Sequence, residues 1–232
     1  MIPPIIHYCW FGDKPLPKYA KKNIESWRKF FPDFEIKEWN ENNFDINIIP
    51  YTSESYKQKK YAFVSDFARY CVLFNYGGIY FDTDVEVIKS FEDIIERGAF
   101  LGIENDRDLI SVAPGLCMGA YSGMSFYKEI IDFYSSVYLS SDEKVVPYLV
   151  KKTTEFLTKD GFKREDKLQH VKEIWIYPND YFNPLDDYTG KIRITQNTHS
   201  IHYYSKSWIK NYGTFRNYLS RKYHYIKSLK LS

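Results

Sequence analysis

The chain has 232 residues, 44% of them hydrophobic and 27% charged, so it can bury a full core without disulfides and does not belong to the disordered class. Nine of its 32 basic residues and none of its 30 acidic ones lie after Asp187, so a net charge of +2 hides an acidic body and a strongly basic end. That asymmetry suggests an anionic partner for the C-terminal region: phosphate, lipid or nucleic acid.

Three cysteines (Cys9, Cys71, Cys117) are odd in number and lack metal spacing, as expected of buried thiols in a reducing compartment. No window approaches about 18 uninterrupted apolar residues, so no transmembrane helix is expected. The opening MIPPIIHYCWFG has no basic leader region, so no signal peptide is expected either.

Residues 5–11 form a short apolar run closed by Gly12-Asp13, the pattern of a buried first strand. Pro17 opens a helix to about Phe31, with Ile24, Trp27 and Phe31 near helical spacing, and Pro32-Asp33 stops it. Residues 34–39 alternate apolar with charged side chains and predict a second strand. A strand–helix–strand start implies an α/β sheet with a parallel pair. Residues 53–60 read as a polar helix. Residues 61–75 read as a helix that is apolar all round, hence buried. Tyr76-Gly77-Gly78 closes it, because glycine accepts the left-handed cap conformation. Residues 79–81 predict a third short strand, followed by Asp82-Thr83-Asp84, and residues 85–88 resume an extended run. Further strands are predicted at 99–103, 174–177, 192–195 and 201–204, and helices at 125–137 and 142–157. The stretch SVAPGLCMGAY (111–121) is rich in small residues and could pass close to a ligand. Residues 214–229 predict an amphipathic helix, with Phe215, Tyr218, Leu219 and Ile226 opposite a basic face.

Two aspartates one residue apart at the end of a hydrophobic strand are costly unless something cationic neutralises them. A divalent metal does this with hard oxygen ligands, and ligands of open α/β sheets sit outside the carboxyl ends of strands. A solvated turn would explain the same pair, since Asp is a common turn residue. Asp66 and Arg69 tip the reading. They lie three apart on an otherwise apolar helix, so they share one face and aim into a polar site.

The block SDFARYCVLFNYGGIYFDTDVEV (65–87) resembles the S-D-x-x-R…Y-G-G-x-Y-x-D-x-D signature of family 32 glycosyltransferases, the DXD-containing sugar transferases of capsule and mannan synthesis. They are distantly similar to the glucosylating domains of large clostridial toxins. The opening IPPIIHYCWFGDKPLP and the Ser207-Trp208 pair after His202 fit the same pattern, with Tyr203 standing where the family has a second histidine.

The resemblance implies a GT-A fold: an α/β, Rossmann-like mixed sheet with flanking helices, here over residues 1–210, with a basic amphipathic helical extension at 211–232. It implies donor contacts from Cys9 (through its backbone), Trp10, Asn42, Ser65, Asp66, Arg69, Tyr80, Asp82, Ser207 and Trp208. Asp66, Arg69, Asp82 and Asp84 are its implied catalytic set. Asp82, Asp84 and His202 would hold Mn²⁺ or Mg²⁺, with His199 a second histidine candidate. The implied partners are a nucleotide-sugar donor, UDP-linked by analogy, and a glycan or lipid-diphosphate-linked acceptor, in bacterial surface-polysaccharide synthesis with retention of configuration. The basic C-terminus suggests peripheral contact with the inner face of a membrane by a cytoplasmic enzyme. Two other readings stay open on the residues alone. Paired carboxylates also serve glycoside hydrolases. The basic, aromatic-rich tail could instead belong to a catalytically inactive carbohydrate- or nucleic-acid-binding module, although no recognised nucleic-acid motif is present and no nucleic-acid partner is expected.

Overall fold

The computed structural model describes residues 1–106, 109–137, 148–187 and 189–205. Strand β1 (Ile5–Cys9) leads through α1 (Lys18–Phe30) to β2 (Glu35–Trp39). Helices α2 (Pro50–Lys57) and α3 (Tyr61–Tyr76) precede β3 (Gly78–Tyr80) and β4 (Val85–Val87). Then come α4 (Glu92–Arg97), β5 (Phe100–Asp106), β6 (Leu109–Val112), β7 (Met118–Ala120), α5 (Ser125–Ser136), α6 (Leu149–Lys159), β8 (Gln169–Val171), β9 (Ile174–Tyr177), α7 (Asn179–Phe182) and β10 (Ser200–His202).

Eight strands form one mixed sheet in the order β2-β1-β3-β7-β5-β9-β8, with β6 paired to β5. Parallel pairing joins β1 to β2, β1 to β3 and β5 to β9, while β7 runs antiparallel between β3 and β5. Strands β1, β2, β3, β5 and β9 therefore share one direction, and their carboxyl ends lie along one edge. Apolar clusters cover both faces. One gathers Tyr51, Phe67, Tyr70, Tyr134 and Leu157 from α2, α3, α5 and α6. The other gathers Trp27, Phe31, Phe91 and Phe182 around α1, α4 and α7. The result is the α/β/α layering of a GT-A-type fold. Strand β10 pairs antiparallel with β4 in a separate two-stranded sheet, His202 opposite Val85.

The predicted strand at 192–195 is not formed. Ile192 makes one isolated bridge to Leu185, and Ile192 and Ile194 are exposed, so the alternation has no layer to cover it. The helix predicted at 142–157 is seen as α6, beginning at Leu149; residues 141–147 lie outside the described part, as does the basic helix predicted at 214–229. Short α4, α7 and β8 carry too few residues for a readable period. Among the described residues no helix is long and apolar enough to cross a membrane.

The turn from α3 into β3 is a tight constraint near the site. Gly77 and Gly78 both take positive φ, +65° and +96°. A side chain on Gly78 would meet Ile5 O at 2.5 Å and His7 Nε2 at 3.1 Å. His7 itself is buried. Its Nε2–H donates to Gly77 O (2.9 Å), and its Nδ1 accepts from Trp39 Nε1 (3.0 Å). With both nitrogens used in the neutral form, burial lowers the imidazole from 6.5 to about 4, the Gly77 bond opposing and Lys37 assisting.

An unfolded chain thus takes up this proton near pH 6.5, the native chain only near 4. Stability should be full above pH 6.5 and fall by roughly 3 kcal/mol as the pH drops to about 4. Melting temperatures recorded across that window should show a decline that His7→Gln flattens, even though the variant melts lower than wild type at pH 8.

Candidate active site

Strands β1 and β3 are neighbours, and Phe81 N–H donates to His7 O (3.1 Å). Trp10 leaving β1 and Asp82 leaving β3 therefore emerge side by side at the sheet edge where α/β proteins place ligands.

Arg69 organises this edge. It is buried (2% exposed) on α3, with its Nε–H donating to Ser65 O at 3.1 Å. Its Nη2 meets Asp66 Oδ1 at 3.0 Å and Asp82 Oδ1 at 3.2 Å, while Nη1 meets Asp82 Oδ2 at 3.2 Å. The guanidinium thus grips Asp82 by both oxygens and lies 4.7 Å from the Tyr80 ring centroid. Tyr80 Oη–H also donates to Asp82 Oδ1 (3.0 Å). Burial works against the Arg69 charge, but Asp82, Tyr80 and Asp66 outweigh it and keep it protonated. Asp66 is pushed by burial up to about 7, with Arg69 opposing and Asp82 adding.

Asp84 is 7% exposed. His202 Nε2 lies 3.1 Å from its Oδ1, and Ser205 N–H donates to its Oδ2 at 2.7 Å. Burial alone would raise this carboxyl, yet His202 and the Ser205 N–H hold it well below the usual range. Burial likewise opposes charge on His202, and Asp84 outweighs it. Ligand atoms of Asp82, Asp84 and His202 lie within 4.8 Å of one another, the one such cluster among the described residues. Two carboxylate oxygens and an imidazole nitrogen, once the ring has given up its proton, suit a divalent cation such as Mn²⁺.

Trp10 and Asn42 line one cleft of about 250 Å³ together with Lys14 and Glu38. Trp10 Nε1–H donates to Lys14 O (2.5 Å), which fixes its ring at the rim. Cys9 is buried, and burial pushes its thiol up to about 12, so it contributes packing and backbone. The Ser65 hydroxyl bonds Tyr61 O (3.2 Å) within its own helix. His199 stands apart from the cluster: Nδ1 meets Ser90 O at 2.6 Å, and its ring stacks on Tyr181. Ser207 and Trp208 lie outside the described residues.

Three features had no sequence signal sharp enough to find them. Tyr204, at φ 49°, lays its ring against His202 and donates from Oη to Glu104 Oε1 (2.7 Å) at the end of β5. Ser205 caps Asp84 through its backbone, which any residue type could do. Gly115, inside the small-residue stretch, comes up against Asp82.

Residues 17–101 match the family described as a glycosyltransferase sugar-binding region containing a DXD motif. The chain is 26% identical over 201 residues to the uncharacterized glycosyltransferase L373 of Acanthamoeba polyphaga mimivirus, covering 82% of this chain and 76% of that protein. It is 25% identical over 166 residues to inositol phosphoceramide mannosyltransferase 1 of Schizosaccharomyces pombe, covering 63% of this chain and half (50%) of that protein. A Saccharomyces cerevisiae mannosyl phosphorylinositol ceramide synthase, SUR1, matches at 25% over 116 residues, 46% of this chain and 30% of its own. Among solved structures, the PaToxG glycosyltransferase shares the fold with a TM-score of 0.55 at 18% identity, over 69% of this chain and 70% of that one.

Removing Arg69 would leave two carboxylates facing each other without their cation. Arg69→Met should cost about 3 kcal/mol in chemical denaturation at pH 7.5, the scale for breaking a buried pair. Adding Asp66→Asn should recover part of that loss, because one of the two orphaned charges is then gone.

Proposed function

We propose that this chain, a glycosyltransferase of the DXD-containing, family 32-like group, moves a sugar from a nucleoside-diphosphate donor to a glycan or lipid-linked acceptor with retention of configuration. The observation that carries this reading is the meeting of Asp82, Asp84 and His202 at the strand ends, one guanidinium away from Asp66.

Asp82, Asp84 and His202 would hold Mn²⁺ or Mg²⁺, and such a cation supplies positive charge beside the departing diphosphate when it is bound. The protein supplies the rest. Arg69 would add a fixed guanidinium at that place, partly offset by the two carboxylates that hold it, and it needs no reorganisation as charge develops on the leaving group. Asp66 faces the same edge and would accept hydrogen bonds from donor-sugar hydroxyls. Trp10 and Asn42, in their shared cleft beside β1, would hold the nucleoside, with Trp10 offering a flat face to the base. Tyr80 keeps the Asp82 carboxylate in register. Ser207 and Trp208 would add donor contacts.

Asp66 and Asp82 are both engaged by Arg69, so neither is a free nucleophile for a covalent glycosyl-enzyme. This favours front-face displacement, in which the acceptor hydroxyl attacks as the sugar–phosphate bond breaks and its proton passes to the departing phosphate oxygen. The shared guanidinium also argues against a hydrolase, whose two carboxyls act independently across the scissile bond.

UDP-sugars stay the first donor choice. The fungal relatives are named for mannosyl transfer to inositol phosphoceramide, which brings mannose donors and a glycolipid acceptor into the set to test. Surface-polysaccharide synthesis at the inner face of a membrane, with the basic segment beyond residue 210 against anionic lipid, is the proposed setting.

A thermal-shift screen of UDP- and GDP-sugars with Mn²⁺ identifies the donor as the strongest stabiliser. With that donor, and at a temperature where both proteins are folded, Asp84→Asn should lower turnover by about a hundredfold or more, the scale of losing one preorganised electrostatic contact, and it should melt below wild type because the largely buried His202 loses its charged partner. An Asp84→Asn enzyme that works normally in the presence of a chelator would refute the metal assignment.

A further inference from the structure

Asp82 is held on three sides, and two of them are Arg69 and Tyr80. The third is backbone. A methyl group built on Gly115 would lie 2.7 Å from Asp82 Oδ2, 3.8 Å from its Cγ and 3.7 Å from Arg69 Nη1. Gly115 has no positive φ, so its backbone accepts any residue. The constraint is space alone.

Relief of the clash would have to break contacts on one side or the other. Asp82 is fixed by two bonds from Arg69 and one from Tyr80 Oη. The turn carrying Gly115 is anchored as firmly: Ala113 N–H donates to Gly102 O (3.0 Å), and Leu116 N–H donates to Ala113 O (3.1 Å). Ala113 and Leu116 are buried. Leu116 also packs against Gly102 of β5, where an added Cβ would meet it at 3.3 Å and Phe182 at 2.8 Å. Close packing of this kind transmits a displacement instead of absorbing it.

We propose that Gly115 is a positioning residue for Asp82: its missing side chain sets where that carboxylate stands between Arg69 and the turn. The functional half of this inference rests on Asp82 acting in the donor site. Gly115 touches no reacting atom and acts only through Asp82.

The test is a double-mutant cycle of Gly115→Ala and Asp82→Ala, read by calorimetric titration with Mn²⁺ plus UDP or GDP, whichever stabilises wild type more. Gly115→Ala alone should weaken binding by about ten- to a hundredfold, the scale for disturbing what positions a metal ligand. On top of Asp82→Ala it should add less than about twofold, because the atom the methyl meets is gone. Wild-type affinity in Gly115→Ala, or the full loss repeated in the Asp82→Ala background, overturns the proposal. If Gly115→Ala does not fold, the double variant decides: recovery of folding supports the clash and failure refutes it. If wild type binds neither nucleotide, the proposed function falls, and a crystal structure of Gly115→Ala still decides the positioning role. There an Asp82 carboxylate pulled away from Arg69 supports it, and an unmoved one overturns it.

Discussion

One buried guanidinium governs the candidate site. Arg69 sits on a helix whose other buried residues include Phe67, Tyr70 and Leu73, and an isolated cation there would be prohibitively costly. It is tolerated because Asp66, one turn earlier, and Asp82, across the Gly77-Gly78 turn, supply two carboxylates at hydrogen-bond distance. The dependence runs both ways, since Asp82 would otherwise face Asp84 and Asp66 without compensation. Helix α3, the double-glycine turn and strand β3 are thus tied by electrostatics as well as by packing. Losing the turn geometry would separate charges that the core cannot hold alone.

This also explains which parts were legible in the sequence. The apolar α3, its glycine stop and the aspartates after β3 lie within 24 residues, from Tyr61 to Asp84, so local period, turn chemistry and spacing sufficed. The pairing of Asp66 with Arg69 followed from helical spacing. What stayed hidden depends on contacts between distant segments. That His202, and not His199, reaches Asp84 is set by β10 pairing with β4, whose register puts His202 opposite Val85. No period in a three-residue strand announces such a register. Residues 192–195 failed for the converse reason: the alternation is present, but residues 184–186 meet it through one isolated bridge only, and Ile192 and Ile194 stay exposed.

The edge divides into two kinds of chemistry. Toward β1 and β2 it is a cleft with Trp10, Lys14, Glu38 and Asn42 on its walls, where a flat ring and amides can recognise a planar, hydrogen-bonding group. Toward β3 and β10 it is charged, and the groups there are paired among themselves: Arg69 with two aspartates, His202 with the third. The proposed donor would span this boundary, with its nucleoside on one side and its diphosphate on the other. The order of the strands, β2-β1-β3, places these two environments next to each other with no strand between them.

Asp84 shows how stability and chemistry share an atom set. Its side chain takes a bond from Ser205, its carbonyl takes one from Tyr203 N–H (2.9 Å), and His202 leans on its other oxygen. It therefore fastens the last described segment, residues 200–205, onto the sheet edge. A cation entering between Asp82, Asp84 and His202 would compete for those same oxygens and that nitrogen, so the fastening and the proposed metal site are alternative uses of one cluster. A bound ion must then replace the attraction between Asp84 and His202 with its own, while the two backbone bonds to Asp84 hold the segment in place. The backbone bonds make the exchange feasible, because the ligands stay assembled when their mutual pairing is broken.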